Sequence, residues 1–133
     1  MKLKIALVSS EYKKSGVGKV TFNLSKKLVE FGHEVTVFAR TESPPAEKWF
    51  QGINPPMPFK NNLLYPFYAA KKIARHKADV WHGDVVEMGF ACKLARKNPL
   101  IVSLHDAVPL IEKYKNERHP FFRAAYRFWL EQV

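Results

Sequence analysis

The segment best equipped to hold an anion is Ser15-Gly16-Val17-Gly18-Lys19. Glycines let a backbone come close to a charged group. A helix beginning there would add free N–H groups and a partial positive charge. A P-loop needs glycine where Lys13 stands and serine or threonine at Val20, so that motif is excluded. A dinucleotide fingerprint puts its first glycine directly after a strand. Gly16 comes several residues later, Thr21 replaces the third glycine, and Arg40 stands where an acidic ribose ligand belongs. What remains is a longer, looser glycine loop, serving either anion approach or chain turning alone.

A second group of chemistry-bearing residues is His82, Asp84, His105 and Asp106. His105 directly follows an apolar run. It suits a general base, a hydrogen-bond donor to a sugar or phosphate, or a metal ligand. The four together could ligate a metal, but no spacing among them is metal-specific. For His82 alone, a satisfied structural histidine is the plainer reading. No nucleophile elbow supports a Ser-His-Asp triad. Cys92 is the single cysteine and sits among apolar neighbours, which suits a packed thiol in a reducing compartment.

These residues need elements to position them. Lys4 to Val8 is a nearly continuous apolar run, as expected of a strand covered on both faces. Val17, Val20, Leu24, Leu28 and Phe31 recur at helical spacing, and Gly32 suits the position after the helix end. Val35, Val37 and Phe38 mark a second strand ending near Arg40, so a right-handed parallel crossover is expected. Residues 41–59 carry five prolines and read as loop, with a short strand near 49–53. A helix is expected over 62–77, with Pro66 in its first turn, and a strand over 78–82. Asp84 with Glu87 resembles a capping box for a helix whose core face is Val86, Phe90 and Leu94. Asn98-Pro99 stops that helix, a strand over 100–104 follows, and a last helix runs from Pro120 to Val133. The fold class is α/β, a Rossmann-like parallel sheet flanked by helices. Ligands of such sheets lie beyond the C-terminal strand edges, where Ser9 to Gly18, His82 to Asp84 and His105-Asp106 all fall.

Composition sets outer bounds. The 133 residues are 47% hydrophobic, which fits one domain of residues 1–133 with a real core. No apolar run reaches the roughly 20 residues of a membrane span. The apolar stretch after Met1 is too short for a signal peptide, so a cytoplasmic protein is expected. A net charge of +10 is compatible with nucleic acid, an anionic membrane surface or phosphorylated substrates, or with a lysine-rich wet surface alone. Lys71, Lys72, Arg75, His76 and Lys77 lie beside the apolar Leu63, Leu64, Tyr65, Phe67 and Tyr68. That stretch suits an anionic membrane or the solvated face of a helix. No nucleic-acid module signature is present, so no nucleic acid is expected as partner.

Three segments in order, KIALVSSEY…SGVGKVTFNLSKKLVEFGHEVTVFAR, ADVWHGD and PLIVSLHDAVPL, resemble the N-terminal domain of the retaining family 4 glycosyltransferases, which have the GT-B fold. The resemblance covers most of the chain outside 41–60. It implies the N-terminal, acceptor-side half of a GT-B enzyme that uses a nucleotide-diphosphate sugar. Ser15, Gly16 and Gly18 would approach the donor diphosphate and border the acceptor, where members often carry a glycine pair. His105 would be the catalytic-site residue near the transferred sugar, with His82 and Asp106 among the substrate-binding groups. It further implies no obligatory metal and no cofactor beyond the donor, the leaving diphosphate being stabilised electrostatically. Most donor contacts would come from a second Rossmann-like domain without counterpart here, so this chain alone is expected to be inactive. The resemblance does not identify the acceptor; the basic, apolar stretch 60–77 is compatible with a sugar or lipid-linked acceptor and with peripheral contact at the inner membrane face. Two other readings stand beside it: a stand-alone, non-catalytic nucleotide- or phosphate-binding module, and a basic nucleic-acid-binding protein.

Overall fold

The computed structural model describes residues 1–41, 45–105 and 120–132. The elements run β1 (Lys4–Ser9), α1 (Gly16–Glu30), β2 (Glu34–Arg40), β3 (Phe50–Ile53), α2 (Tyr65–Ile73), β4 (Val80–Gly83), α3 (Val86–Leu94), β5 (Leu100–Val102) and α4 (Pro120–Gln132). The strands form one five-stranded sheet in the order β3-β2-β1-β4-β5. Every neighbouring pair is parallel. The chain moves outward from β1 to β3, then returns to place β4 on the other side of β1. The order therefore reverses between β1 and β4, and a doubly wound sheet opens its crevice there.

Period-two alternation divides β1 between two cores. Ala6 and Val8 pack with Phe38, Trp81, the α2 residues Ala69 and Ile73, and the α3 residues Met88 and Cys92. Leu7 packs on the opposite face with Val35, Val37 and Ala39, beneath Phe22, Leu24, Leu28 and Val29 of α1. Right-handed crossovers require this split. The connection from β1 to β2 and those returning through β4 to β5 run in opposite directions across the sheet. On the outer side of α3, Val86 and Phe90 meet Trp129 of α4.

The expected apolar face of α1 is rotated. Gly18, Thr21 and Ser25 form the buried line, whereas Val20 and Phe31 are 45% and 75% exposed. Small residues occupy the line of closest approach because the helix backbone sits near the strands, and the larger apolar residues flank it. Gly32 does end α1, at φ +88°. Its N–H bonds to Val29 O at 2.9 Å and that of His33 to Leu28 O at 3.1 Å, a Schellman pair.

Helix α2 is shorter than the expected 62–77. The Asn61 side chain accepts from Leu63 N–H at 2.7 Å and holds that stretch in turns instead. Past its end, Lys97 Nζ donates to Ala74 O at 2.8 Å and His76 O at 2.7 Å. Strand β4 is shifted forward from 78–82, because the Lys4 backbone N–H bonds to the Asp79 side chain at 2.7 Å ahead of the ladder. Strand β5 is shorter than 100–104. In α3 the expected Leu94 is 49% exposed while Met88, Ala91 and Cys92 are fully covered, because α2 and the sheet enclose the other side of the helix. The capping box is also corrected. The N-cap position is Val85, with no side-chain cap bond. Asp84 points inward to a different set of partners. No described helix is long and apolar enough to cross a membrane.

Candidate functional site

The site is built where β1, β4 and β5 end. After Ser9 the chain makes a compact loop before α1. Tyr12 is buried against Phe22, with ring centroids 5.7 Å apart, and against Phe50 at 4.7 Å. Lys13 takes a left-handed conformation at φ +68°. Its N–H donates to Gly18 O at 3.1 Å, folding the loop back onto the helix. Its ammonium pairs with Glu47, tying the loop to the segment before β3.

Ser15 is the N-cap of α1, and its Oγ accepts from Gly18 N–H at 3.0 Å. The two glycines play different parts. Gly18 is buried, and a Cβ there would lie 3.0 Å from Lys13 N and 3.2 Å from Tyr12 N and C. It is therefore glycine for packing against the loop backbone. Gly16 is exposed at the first helical position, has no positive φ, and a Cβ there would meet nothing within 4 Å. The N–H groups of Gly16 and Val17 are among those a helix start leaves without an intrahelical partner.

His82 on β4 is half-buried, and its Nε2 lies 2.7 Å from Ser103 Oγ. Burial lowers its pKa, and the neighbouring His105 charge lowers it further, so the ring is neutral near pH 7. His105 is exposed just past β5. Asp106 lies outside the described residues. Among the described residues, no three His, Cys, Asp or Glu side chains are grouped to hold a metal ion. Cys92 is buried, and burial pushes its thiol up to about 12, far from a nucleophile's range.

The residue that joins these parts is Asp84. It is 1% exposed. One of its oxygens, Oδ2, contacts Ser9 Oγ at the end of β1 and accepts from Thr21 Oγ1 of α1 at 2.7 Å. Desolvation raises its pKa to about 6. Hydrogen bonds from Ser9, Thr21 and the Ser10 backbone, and the His105 charge, act in the lowering direction. Asp84 thus fastens β1, α1 and β4 together at the switch point. The sequence alone offers Asp84 as a helix cap or as one of a strand-edge group with His82, His105 and Asp106, and pairs it with neither Ser9 nor Thr21. The available signal was polar: a serine ending an apolar strand, and a threonine one turn beyond Gly18.

A family model described as Glycosyltransferase Family 4 matches residues 14–133. The chain belongs to that family. The matched part is the N-terminal domain, and the observed parallel sheet with flanking helices is the α/β arrangement expected of it. Among curated proteins, none matches the chain. In this family 4 domain, the structure brings Ser15, Gly16 and Gly18 into one turn beside the β1 end. It sets His82 and His105 at the ends of the neighbouring strands β4 and β5. His76, which the sequence groups with the basic run, belongs elsewhere: its ring edges against Phe38 at 5.0 Å and Trp81 at 5.8 Å.

Proposed function

We propose that this domain forms the acceptor-side wall of a retaining glycosyltransferase that uses a nucleotide-diphosphate sugar. Residues 1–133 would then be one Rossmann-like half of a two-domain cleft, inactive by themselves. The observation that carries the reading is Gly16. Neither its backbone conformation nor its surroundings require glycine, yet it stands exposed at a helix start. Close approach of a ligand explains the missing side chain.

In the proposed reaction, charge builds on the leaving diphosphate as the bond to the sugar breaks. The N–H groups of Gly16 and Val17, with the positive end of the α1 dipole, stabilise that charge without reorganising. His105 lines the sugar side of the cleft as hydrogen-bond partner, with Asp106 next to it in sequence. His82, neutral near pH 7, can donate or accept a hydrogen bond without adding charge. The second domain supplies the remaining donor contacts, and no metal is required for the step. Titrating the isotopically labelled chain with uridine diphosphate, read by amide resonances, tests the site. Shifts concentrated at residues 15–18 and 105 support it; shifts confined to residues 71–77 refute it. Turnover of a nucleotide sugar by the purified chain would refute the proposed inactivity.

We also propose that the acceptor is approached along a lipid surface at the inner membrane face. Phe67 and Phe128 are 44% and 50% exposed. Both rings contact Phe90, at 5.7 and 5.9 Å. Lys71 lies one turn after Phe67 on α2. Exposed aromatic rings beside cations suit an anionic bilayer interface. Flotation with vesicles rich in phosphatidylglycerol, but not with neutral vesicles, is the expected result; equal recovery in both would remove the idea.

A further inference from the structure

The buried cluster around Asp84 poses a question of proton number. Thr21 Oγ1 touches Asp84 Oδ2, Asp84 Oδ2 touches Ser9 Oγ, and Ser9 Oγ touches Glu11 O. Each of these oxygen–oxygen contacts needs a proton between its atoms. Thr21 and Ser9 carry one hydroxyl proton each. The Glu11 carbonyl carries none. An ionised Asp84 leaves the chain one proton short, with two lone pairs facing each other. A carboxylic acid at Asp84 completes it: Thr21 donates to Asp84, Asp84 donates to Ser9, and Ser9 donates to the Glu11 carbonyl. The other carboxyl oxygen, Oδ1, is buried and no group meets it in good hydrogen-bond geometry, although the Ser10 backbone N–H acts on the carboxyl in the direction that favours its charged form. A neutral carbonyl tolerates that position far better than half of a carboxylate does.

We propose that Asp84 is a positioning residue that works as a carboxylic acid, closing a hydrogen-bond chain from α1 across the end of β4 to the loop that carries the glycine turn. Loss of its proton to solvent breaks one link of that chain and slackens the Ser9–Ser15 loop. The geometry places the chain close to the proposed anion site. Thr21 and Gly18 are both buried on one face of α1, three residues or about 4.5 Å apart along the axis, and Gly16 stands about 7.5 Å from Thr21 along that axis. A like charge nearby favours the neutral form of a carboxyl group. Resting on the glycosyl-transfer reading, a diphosphate bound at Gly16 would therefore be accompanied by proton uptake at Asp84. The groups facing Asp84 from the packed elements are the Ser10 backbone after β1, Thr21 of α1, and His105 beyond β5, with Tyr65 of α2 and Cys92 of α3 sensing its charge. Of these, His105 is the side chain whose charge acts on the carboxyl, so it serves as the control in the titration.

The test is a carbon-13 carboxyl titration of Asp84 in the full chain, run beside the amide resonances of residues 10–15. The expected result is one shared midpoint near 6 for the carboxyl and the loop amides. Asp84→Asn should abolish that loop transition while His105→Gln leaves it in place. A midpoint in the ordinary carboxylate range, or loop amides that ignore the carboxyl, would overturn the proposal. So would a transition that survives in Asp84→Asn. A calorimetric titration with uridine diphosphate at pH 6.5, in two buffers of different ionisation heat, tests the coupling. Proton uptake in the native chain and none in Asp84→Asn is expected; binding without uptake contradicts the coupling. Absence of any uridine diphosphate binding would count against the glycosyl-transfer reading, while the carboxyl titration decides the role of Asp84 independently.

Discussion

Replacing each glycine of the turn with alanine separates ligand approach from packing. At Gly16 an added methyl meets nothing within 4 Å and the backbone needs no positive φ. Alanine also restricts the unfolded chain and favours helix. Gly16→Ala should therefore be neutral or stabilising, by up to about 1 kcal/mol. At Gly18 the methyl would stand 3.0 Å from Lys13 N, a backbone atom of a loop held by the Lys13–Glu47 pair and the buried Tyr12. Overpacking of this kind costs about 1–3 kcal/mol, offset by about 1 kcal/mol of helix propensity. Gly18→Ala should therefore lose about 1 kcal/mol. Urea unfolding followed by tryptophan fluorescence measures both. The ligand effects should run the other way. On the proposed function, a methyl at Gly16 would keep a phosphate oxygen from the helix N–H groups. Loss of one charge-assisted hydrogen bond, about 1.5–3 kcal/mol, should weaken uridine diphosphate binding at least tenfold. A Gly16→Ala protein that is clearly destabilised, or that binds the nucleotide as well as the native chain, would refute the reasoning.

Other consequences can be checked in the same way. A Cβ at Gly83 would lie 2.6 Å from Gly89 N and 2.9 Å from Met88 C, both backbone atoms of α3. Gly83→Ala should cost about 1–3 kcal/mol or more in urea unfolding; a loss under half of the lower figure would contradict the packing. The Asp84 carboxyl, at about 6 in the fold against 3.8 as its ordinary value, binds more protons folded than unfolded. Its contribution is present below pH 4 and lost as pH rises through 6, amounting to about 3 kcal/mol. Asp84→Asn should flatten this part of the stability profile; an unchanged profile would contradict the assignment. Trp129→Ala, which empties the contact with Phe90 and Val86, should cost about 3 kcal/mol and is measurable by thermal unfolding.

Much of the fold was legible because parallel strands announce themselves. Ile5 to Val8 and Val35 to Phe38 are apolar on both faces, and Gly32 marks a helix end by its conformational freedom. The rotated face of α1 was not legible. Val20 and Phe31 fit helical periodicity, but the helix approaches the sheet on Gly18, Thr21 and Ser25, and only tertiary proximity favours small residues there. The ends of β1, β4 and β5 could be placed from strand order alone, which brought the glycine turn and the two histidines to one edge. Asp84 lies at the expected strand edge, but its capping role fails for a physical reason. An aspartate before a helix caps it by default, and only the three-dimensional meeting of Ser9 and Thr21 gives its carboxyl better partners. In the same way, the requirement for glycine at Gly83 comes from α3 pressing on β4, a contact with no local sequence pattern.

The central claim is that the C-terminal edge of β1, β4 and β5 faces the sugar nucleotide. A nucleotide-diphosphate sugar carrying a photoreactive group, irradiated with the full chain and mapped by mass spectrometry, tests it directly. Adducts within residues 9–18 and 103–106, suppressed by unlabelled uridine diphosphate, are the predicted result. Adducts on residues 71–77, or at the opposite edge around Lys2, Lys4 and Lys77, would contradict it.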